Sequence, residues 1–298
     1  MGKITSLIEF NGTVGNLVGY RGRDGRNVVR FKVHDPRNPQ TTLQMRRRVS
    51  WANLVNLWAA ITPYMHPSFN HKPAGQTDFN AFMAENVGLN PVFLTKKQAR
   101  QQFCIASPIK VTDGDIPSVS VSMVSGGKFK SSIAIGSGTI DAETTIGGLS
   151  HNILEENPWM QAGDQITGLM VTQKTDAVTG KDYVEVLAQK FILDESNYDR
   201  LYDELEDESG DADAMFSSVD GCIATKASVN GGVCWIVSRI VGGETKVSSQ
   251  TLVVNNNILS TYTSGTAQQK AMNTYGVNDS YLTPTGNEYS AAADNPEP

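Results

Sequence analysis

The chain is organised around a glycine- and arginine-rich segment near its N-terminus, residues 12–33, which reads GTVGNLVGYRGRDGRNVVRFKV. Its Asp24-Gly25 pair is typical of the tight turn of a β-hairpin, because glycine adopts positive φ angles there without steric strain. We therefore predict a strand on each side of this turn. Since successive residues of a strand face opposite sides of a sheet, the returning strand has two faces. One face carries Val29, Phe31 and Val33, and the other carries Val28, Arg30 and Lys32.

The residues after the hairpin predict the best helix in the chain. Thr41 and Gln44, three residues apart, form a capping box, and apolar residues then recur at spacings of three and four as far as Ile61. This periodicity predicts that the helix buries Trp51, Leu54 and Trp58. Arg46–Arg48 lie in the first turns, where the helix dipole disfavours cations, so we expect these arginines to have partners outside the helix.

From about residue 103 onward, the chain predicts strands more than helices. Three pairs of strand-like segments flank glycine-containing turns at residues 125–127, 176–181 and 242–243. Repeated hairpins at this spacing indicate an antiparallel β-sandwich or small barrel. The predicted fold class is therefore α+β and mainly β, with an N-terminal β-hairpin plus helices, then the antiparallel β domain, then an extended C-terminal tail. The predicted boundaries are a basic hairpin-plus-helix domain over 1–110, the β domain over 111–264 with an acidic insertion at 194–213, and a C-terminal arm over 265–298.

Composition and motifs argue against several classes of function. No apolar run approaches the roughly 20 residues that span a bilayer, and the N-terminus lacks the apolar segment of a signal peptide. The three cysteines, Cys104, Cys222 and Cys234, include no C-x-x-C pair, which disfavours both a disulfide framework and a zinc ribbon. The glycines of the N-terminal segment lack the companions of a phosphate-binding loop, and no catalytic motif is recognisable. We therefore predict a protein without enzymatic activity, cofactor or metal.

The chain is electrically polarised along its length. Residues 1–110 contain 15 Lys and Arg against 5 Asp and Glu, whereas residues 111–298 contain 10 against 26. Such an asymmetry indicates either a polyanion bound to the basic half or neighbouring molecules that present opposite ends to each other. Identical subunits in a ring or stack meet the second condition, because each head-to-tail contact joins two different patches.

Two groups of charged residues are the candidate interaction sites. The basic group comprises Arg21, Arg23, Arg26, Arg30, Arg46, Arg47 and Arg48, and the acidic group comprises Asp203, Glu204, Glu206, Asp207 and Glu208. The density of basic residues would suit contacts with DNA phosphates, but no aromatic ladder and no recognised nucleic-acid fold accompany it. We favour a solvated or subunit-facing surface for both groups.

The N-terminal residues also form a longer pattern. It runs Gly12-x-Val14-Gly15-x-x-Val18-Gly19, then Val28-x-Arg30, then Asn38-Pro39-x-Thr41, Gln44, Arg47 and the helix around Trp58. This pattern resembles the signature of an uncharacterised protein family of Bacteroidales bacteria and their phages, whose relatives occur among the virion genes of crAss-like gut phages. The resemblance implies a structural subunit of the head-to-tail or tail assembly, made in the bacterial cytoplasm and incorporated into the virion.

The predicted function is therefore that of a bacteriophage virion structural protein. We expect a ring subunit of the tail or neck that packs against copies of itself and against proteins such as the portal or tail hub. One alternative is a capsid decoration or host-surface protein whose sandwich loops bind glycans, and its candidate aromatics are Trp159, Tyr183 and Tyr198. Another is DNA binding by the basic hairpin, which requires the acidic half to face away.

Overall fold

The computed structural model describes residues 2–3, 12–22, 25–32, 41–65, 67–141, 143–198 and 216–275. Its strands are β1 Gly2–Lys3, β2 Gly12–Val14, β3 Leu17–Arg21, β4 Asn27–Phe31, β5 Lys110–Thr112, β6 Val121–Val124, β7 Lys128–Ala134, β8 Gln165–Thr175, β9 Asp182–Ile192, β10 Phe216–Val219, β11 Cys222–Thr225, β12 Gly231–Val241, β13 Glu244–Val247, β14 Gln250–Thr251 and β15 Val253–Asn255. Its helices are α1 Thr42–Ile61, α2 Asp78–Asn86, α3 Lys96–Arg100, α4 Ile146–Glu156, α5 Leu259–Thr263 and α6 Gly265–Asn273. The strands pair in antiparallel sheets, which confirms the predicted α+β, mainly β class.

The centre of the fold is a five-stranded sheet in the order β13-β12-β8-β9, with β15 pairing with β12 as well. A second sheet, in the order β10-β11-β7-β6, packs against it. Val233, Trp235 and Val237 of the first sheet share one buried core with Phe129 and Phe216 of the second. These two sheets form an antiparallel sandwich, and the three hairpins predicted from the glycine-containing turns supply most of its strands.

Helices cover the other face of the five-stranded sheet. Cys234 and Ile236 alternate along β12 with the residues of the sandwich core, and they share a second core with Leu54 of α1 and Phe82 of α2. The fold therefore has three layers, one of helices and two of sheet. The boundary predicted at residue 110 runs through this second core, since α1 precedes that residue and β12 follows it.

Helix α1 begins as predicted. The Thr41 hydroxyl accepts a hydrogen bond from the Gln44 amide, and the Gln44 side chain accepts one from the Thr41 amide, both at 3.4 Å. This reciprocal pair satisfies two amides that the first turn of a helix leaves without partners. The start of the helix is thus fixed by its local sequence.

The buried face of α1 differs from the prediction. Leu54 is buried, but the prediction for Trp51 is wrong, because 46% of its surface is exposed, and Trp58 is only half-buried. The physical reason is α6, which packs against Met45 and Val49 of α1 and so places the buried stripe on the side of the helix away from Trp51. The sequence periodicity alone could not locate α6.

An extended segment, residues 103–110, crosses between the helices and the central sheet. Asn53 of α1 accepts a hydrogen bond from the Ile105 amide at 2.7 Å and donates one to the Ile105 carbonyl at 3.0 Å. Asn86 of α2 makes the same pair of bonds to Lys110, at 2.7 and 2.9 Å. Each carboxamide thus stands in for a peptide group of a neighbouring strand, so the helices hold this segment in place.

The C-terminal helices belong to the helical layer. Tyr262 of α5 is buried and donates a hydrogen bond to the Asp182 carboxylate at 2.6 Å, and Met272 of α6 packs on α1. The first residues of the predicted C-terminal arm are therefore packed. Residues 276–298, the predicted tail, lie outside the described residues.

Candidate interaction surface

The N-terminal segment forms a separate small sheet in the order β1-β4-β3-β2. The predicted hairpin is confirmed: the Gly22 amide donates to the Arg26 carbonyl at 2.8 Å across the turn, where Gly25 adopts a φ of 74°. Leu17 pairs with Phe31 in β4 and with Val14 in β2. Residues that pair directly across antiparallel strands lie on the same face of the sheet.

One face of this small sheet is apolar, and three of its side chains are exposed. We call it the apolar sheet face, and it consists of Val14, Leu17, Val29 and Phe31. The exposed fractions are 63% for Val14, 39% for Leu17 and 75% for Phe31. Within the described residues, no side chain between positions 12 and 32 belongs to a buried core cluster. Contiguous exposed apolar side chains on a protein surface typically mark a site of interaction.

Cationic side chains surround the apolar sheet face. Arg21 lies at the end of β3 and donates a hydrogen bond to the Gly25 carbonyl at 3.3 Å, and Arg26 is exposed at the turn. Arg30 and Lys32 are exposed on the opposite face, as the alternation of β4 predicts. Arg23 lies outside the described residues. The sheet therefore has one apolar face, with positive charge at the β3–β4 turn and on the opposite face.

The remaining predicted arginines lie on the first turns of α1. Arg48 is half-buried and contacts the Met45 sulfur at 3.9 Å, and it lies near Tyr275, whose pKa burial raises. Arg48 thus has a partner, whereas Arg46 and Arg47 are exposed and make no ion pair with another described residue, so for these two the expected partners stay a prediction. Solvent screens both charges, so the helix needs no protein partner for them.

An exposed stripe of α1 also escaped the sequence prediction. Leu43, Arg47 and Trp51 lie four residues apart along the helix, and 62% of Leu43 and 46% of Trp51 are exposed. The spacing of four predicts a common helical face, but it does not say whether that face is buried. This stripe is a second apolar and basic surface of the N-terminal part of the chain.

The predicted acidic residues Asp203, Glu204, Glu206, Asp207 and Glu208 all lie outside the described residues. The chain leading to them, residues 194–198, packs across the start of α4. Gly147 permits this close approach, because its amide donates to the Asn197 carbonyl at 2.9 Å and a Cβ there would press on the Glu195 backbone. The Ser196 hydroxyl and amide donate to Asp194 and lower the pKa of its carboxyl group, so Asp194 remains ionised well below neutral pH.

Acidic side chains extend from this segment onto α4. Glu195 bonds to the His151 ring at 2.8 Å, and Glu155 lies on the other side of the same ring at 3.9 Å. Glu155 is 72% exposed and Glu195 is 48% exposed at the side chain. The hydrogen bond from Glu195 raises the pKa of His151 above its ordinary value.

An open cleft of about 360 Å³ lies beside residues 194–198, and we call it the β9–α4 cleft. It is lined by Ile146, Gln165, Lys190, Phe191, Ile192, Asp194 and Asn197. Ile192 is 54% exposed, although β9 is otherwise built into the central sheet. The cleft thus combines the exposed side chain of Ile192 with the carboxylate of Asp194, and sequence reasoning missed it because its residues come from three separate segments.

A polar cluster joins the segment between α1 and α2 to the residues that follow β5 and precede β14. His71 bonds to Asp113 at 3.0 Å and to Asp115 at 2.7 Å, and the hydroxyl of Ser249 donates to the remaining oxygen of Asp113 at 2.9 Å. The serine and the imidazole therefore bind different oxygens of one carboxylate. This arrangement orients Asp113, and the serine hydroxyl bonds to the carboxylate and not to the imidazole. Within the described residues, no group of His, Cys, Asp and Glu is arranged to hold a metal ion.

Two of the cysteines are buried, and the candidate glycan-binding aromatics differ from one another in exposure. Cys104 and Cys234 are buried, and burial raises the pKa of each thiol to about 12, which makes both unreactive. Trp159 packs against the sandwich core, whereas Tyr183 on β9 and Tyr198 are exposed. In the described part of the chain, no helix combines the length and apolar character needed to cross a membrane.

Comparison with known proteins gives one match. Residues 9–152 match a family described as a family of unknown function (DUF6266), so the similarity spans strands β2 to β4 of the small sheet, the helices α1 to α3 and the first strands of the sandwich. No curated protein and no solved structure matches the chain. The region that resembles this family thus includes the apolar sheet face and the arginines around it.

Proposed function

We propose that this chain is a bacteriophage virion structural protein, a ring subunit of the tail or of the head-to-tail neck. It acts by packing against copies of itself and against neighbouring proteins such as the portal or tail hub, and it catalyses no reaction. The observation that carries the proposal is the apolar sheet face, which exposes Val14, Leu17 and Phe31 and on which no second layer packs among the described residues. Such a surface is typical of a subunit whose partner completes the fold.

The distribution of charge supports the same proposal. The first 110 residues are strongly basic and the rest of the chain is strongly acidic. Complementary charges on two regions of one chain orient neighbouring subunits and accelerate their encounter, even where they add little affinity. A ring of identical subunits uses both regions of every copy, since each contact joins the basic region of one to the acidic region of the next.

The N-terminal pattern supports the virion setting. The pattern of Gly12, Gly15 and Gly19 with the downstream arginines resembles a family found among phage virion genes, and the same residues build the uncovered sheet. Glycines suit this sheet because a strand position without a side chain lets a neighbouring backbone come close. The resemblance and the exposed surface therefore concern the same residues.

Protein composition of purified phage particles tests this proposal. Particles are banded on a density gradient from a lysate of the phage that encodes the chain, and quantitative mass spectrometry compares this chain with the portal protein. We expect the chain in the particle band at a fixed number of copies per portal. If the chain is abundant in the lysate but absent from intact particles, the proposal is wrong.

A further inference from the structure

We propose that the apolar sheet face of one copy packs into the β9–α4 cleft of a second copy, in a head-to-tail contact. This inference rests on the proposed assembly role and names the two surfaces that meet. The occupant of the cleft is the segment around Phe31, and the apolar side chain that receives it is the exposed Ile192, since Ile146 and Phe191 are almost fully buried beneath the cleft.

The shape of the sheet face supports this assignment. Phe31 is 75% exposed and is paired in register with Leu17, so the two side chains stand next to each other on the sheet. Val14 pairs with Leu17 from the other strand and extends the same row. A row of apolar side chains on a thin sheet can enter an open cleft, whereas a flat surface would cover only their tips.

The composition of the cleft is complementary to this row. Ile192 leaves 54% of its surface exposed at the cleft, and covering it together with Phe31 removes two large apolar side chains from water. Asp194 contributes a carboxylate that its bonds to Ser196 keep ionised, and Glu195 and Glu155 lie nearby. Lys190 also lines the cleft, whereas Glu155 lies on α4 and Glu195 bonds to His151 of that helix.

The charges decide between two modes of self-association. In a two-fold contact, the apolar faces of two identical sheets would meet, and the arginines at Arg21 and Arg26 of both copies would come together. Like charges at such a contact are unfavourable, whereas the same arginines beside Asp194 and Glu195 of another copy are favourable. A head-to-tail contact also leaves one unused sheet face and one unused cleft per pair, so assembly continues until a ring closes.

Two variants, mixed together, test the proposal. The sheet variant carries Leu17→Asn with Phe31→Asn, and the cleft variant carries Ile192→Arg. Each should weaken self-association by at least about thirtyfold, since each removes a central apolar anchor of the contact. The sheet variant keeps an intact cleft and the cleft variant keeps an intact sheet face, so an equimolar mixture should form a one-to-one heterodimer that grows no further. Mass photometry of each variant and of the mixture measures this directly.

Matched controls lie on other surfaces of the chain. Tyr20→Asn changes the opposite face of the same small sheet, where Tyr20 is 42% exposed, and Met123→Arg changes the second sheet, where Met123 is 56% exposed. Both controls should assemble like the unmodified chain. Melting curves that match the unmodified chain show that each variant is folded.

Three outcomes would overturn the proposal. One is an unmodified chain that stays monomeric at concentrations where the contact should form, and another is a cleft variant that alone still dimerises through its sheet, which indicates a two-fold contact. A mixture without a heterodimer would also contradict it. None of these outcomes changes whether the chain is found in purified particles, so failure of this inference is distinguishable from failure of the proposed function.

Discussion

Arg239 forms a two-pronged ion pair with the completely buried carboxylate of Asp164, with Nε to Oδ1 at 2.6 Å and Nη2 to Oδ2 at 2.7 Å. The same guanidinium also donates to the Trp159 carbonyl at 3.0 Å. Asp164 immediately precedes β8, and Arg239 lies near the end of β12. The pair therefore links the start of β8 to β12, and the bond to Trp159 links both to the segment that follows α4.

Replacing Asp164 by Ala should destabilise the fold by about 3–5 kcal/mol, because it leaves a guanidinium without its partner beside a buried site. The free energy of unfolding in urea measures the effect. Glu185→Ala serves as the control, since Glu185 pairs with Lys174 at 3.4 Å on the surface and should contribute less than about 1 kcal/mol. Equal losses for the two variants would contradict the assignment.

Gly168 lies directly under the ring of Phe216 in the sandwich core, and a Cβ there would overlap that ring. Gly168→Ala should therefore destabilise the protein by about 1–3 kcal/mol through overpacking. Adding Phe216→Leu, which shortens the opposing side chain, should recover part of the loss. Gly88→Ala is the control, because a Cβ at Gly88 meets nothing within 4 Å and should change stability little. An unchanged unfolding midpoint for Gly168→Ala would disprove this packing.

Asn53→Leu removes the carboxamide that bonds both backbone polar groups of Ile105. The amide and the carbonyl then remain buried without partners, and each costs roughly 1–3 kcal/mol. Asn56→Ala is a graded control, since Asn56 makes a single bond to the Phe103 carbonyl at 2.8 Å and is half-buried. Chemical denaturation should rank Asn53→Leu as the more harmful change, and the reverse order would refute the role given to Asn53.

His71 should titrate above its ordinary pKa of 6.5, because hydrogen bonds to Asp115 and then Asp113 favour the charged imidazolium. A raised pKa in the folded state means that this stabilisation is complete below pH 6.5 and is lost as the pH rises through the folded pKa. The advantage of the wild type over His71→Ala should thus shrink as the pH rises past neutrality. NMR titration of the imidazole checks the shift, and Asp113→Asn with Asp115→Asn should return the pKa toward 6.5.

Salt should weaken self-association if opposite charges orient the subunits, because exposed charges are screened within a distance of about 10 Å at 0.1 M salt. We expect slower assembly at 500 mM than at 50 mM sodium chloride, with a smaller change in the final stability of the contact. Light scattering after a salt jump measures the rate. Rates that do not depend on salt would show that apolar contact alone drives assembly.

Local sequence patterns were enough for much of this fold. The hairpin turn at Gly25, the capping box of Thr41 and Gln44, and the glycine-containing turns of the sandwich were all predicted, because each depends on a few adjacent residues. The packing of α1 onto the central sheet was not predictable in this way. It depends on a core that Leu54 shares with residues more than a hundred positions later, such as Ile236.

The candidate surface was predicted only in part. Arginine density marked the small sheet as a candidate surface, which stays a prediction. Its apolar side was missed, since alternation along β4 assigns Phe31 to a face without saying whether anything covers that face. One signal was available: the alternation that places the apolar Val29 and Phe31 on the same face of a short strand. The β9–α4 cleft left no such signal, because Ile146 and Ile192 come together only in the folded chain.

The carboxamides of Asn53 and Asn86 also determine how the amides they hold exchange with solvent. The amides of Ile105 and Lys110 bond to side chains of helices α1 and α2 and not to a neighbouring strand. Their hydrogen exchange therefore depends on whether the helices stay seated on the central sheet. Deuterium uptake at these two positions therefore reports whether the helices detach from the sheet, and it can be measured separately from exchange of the amides within the sandwich.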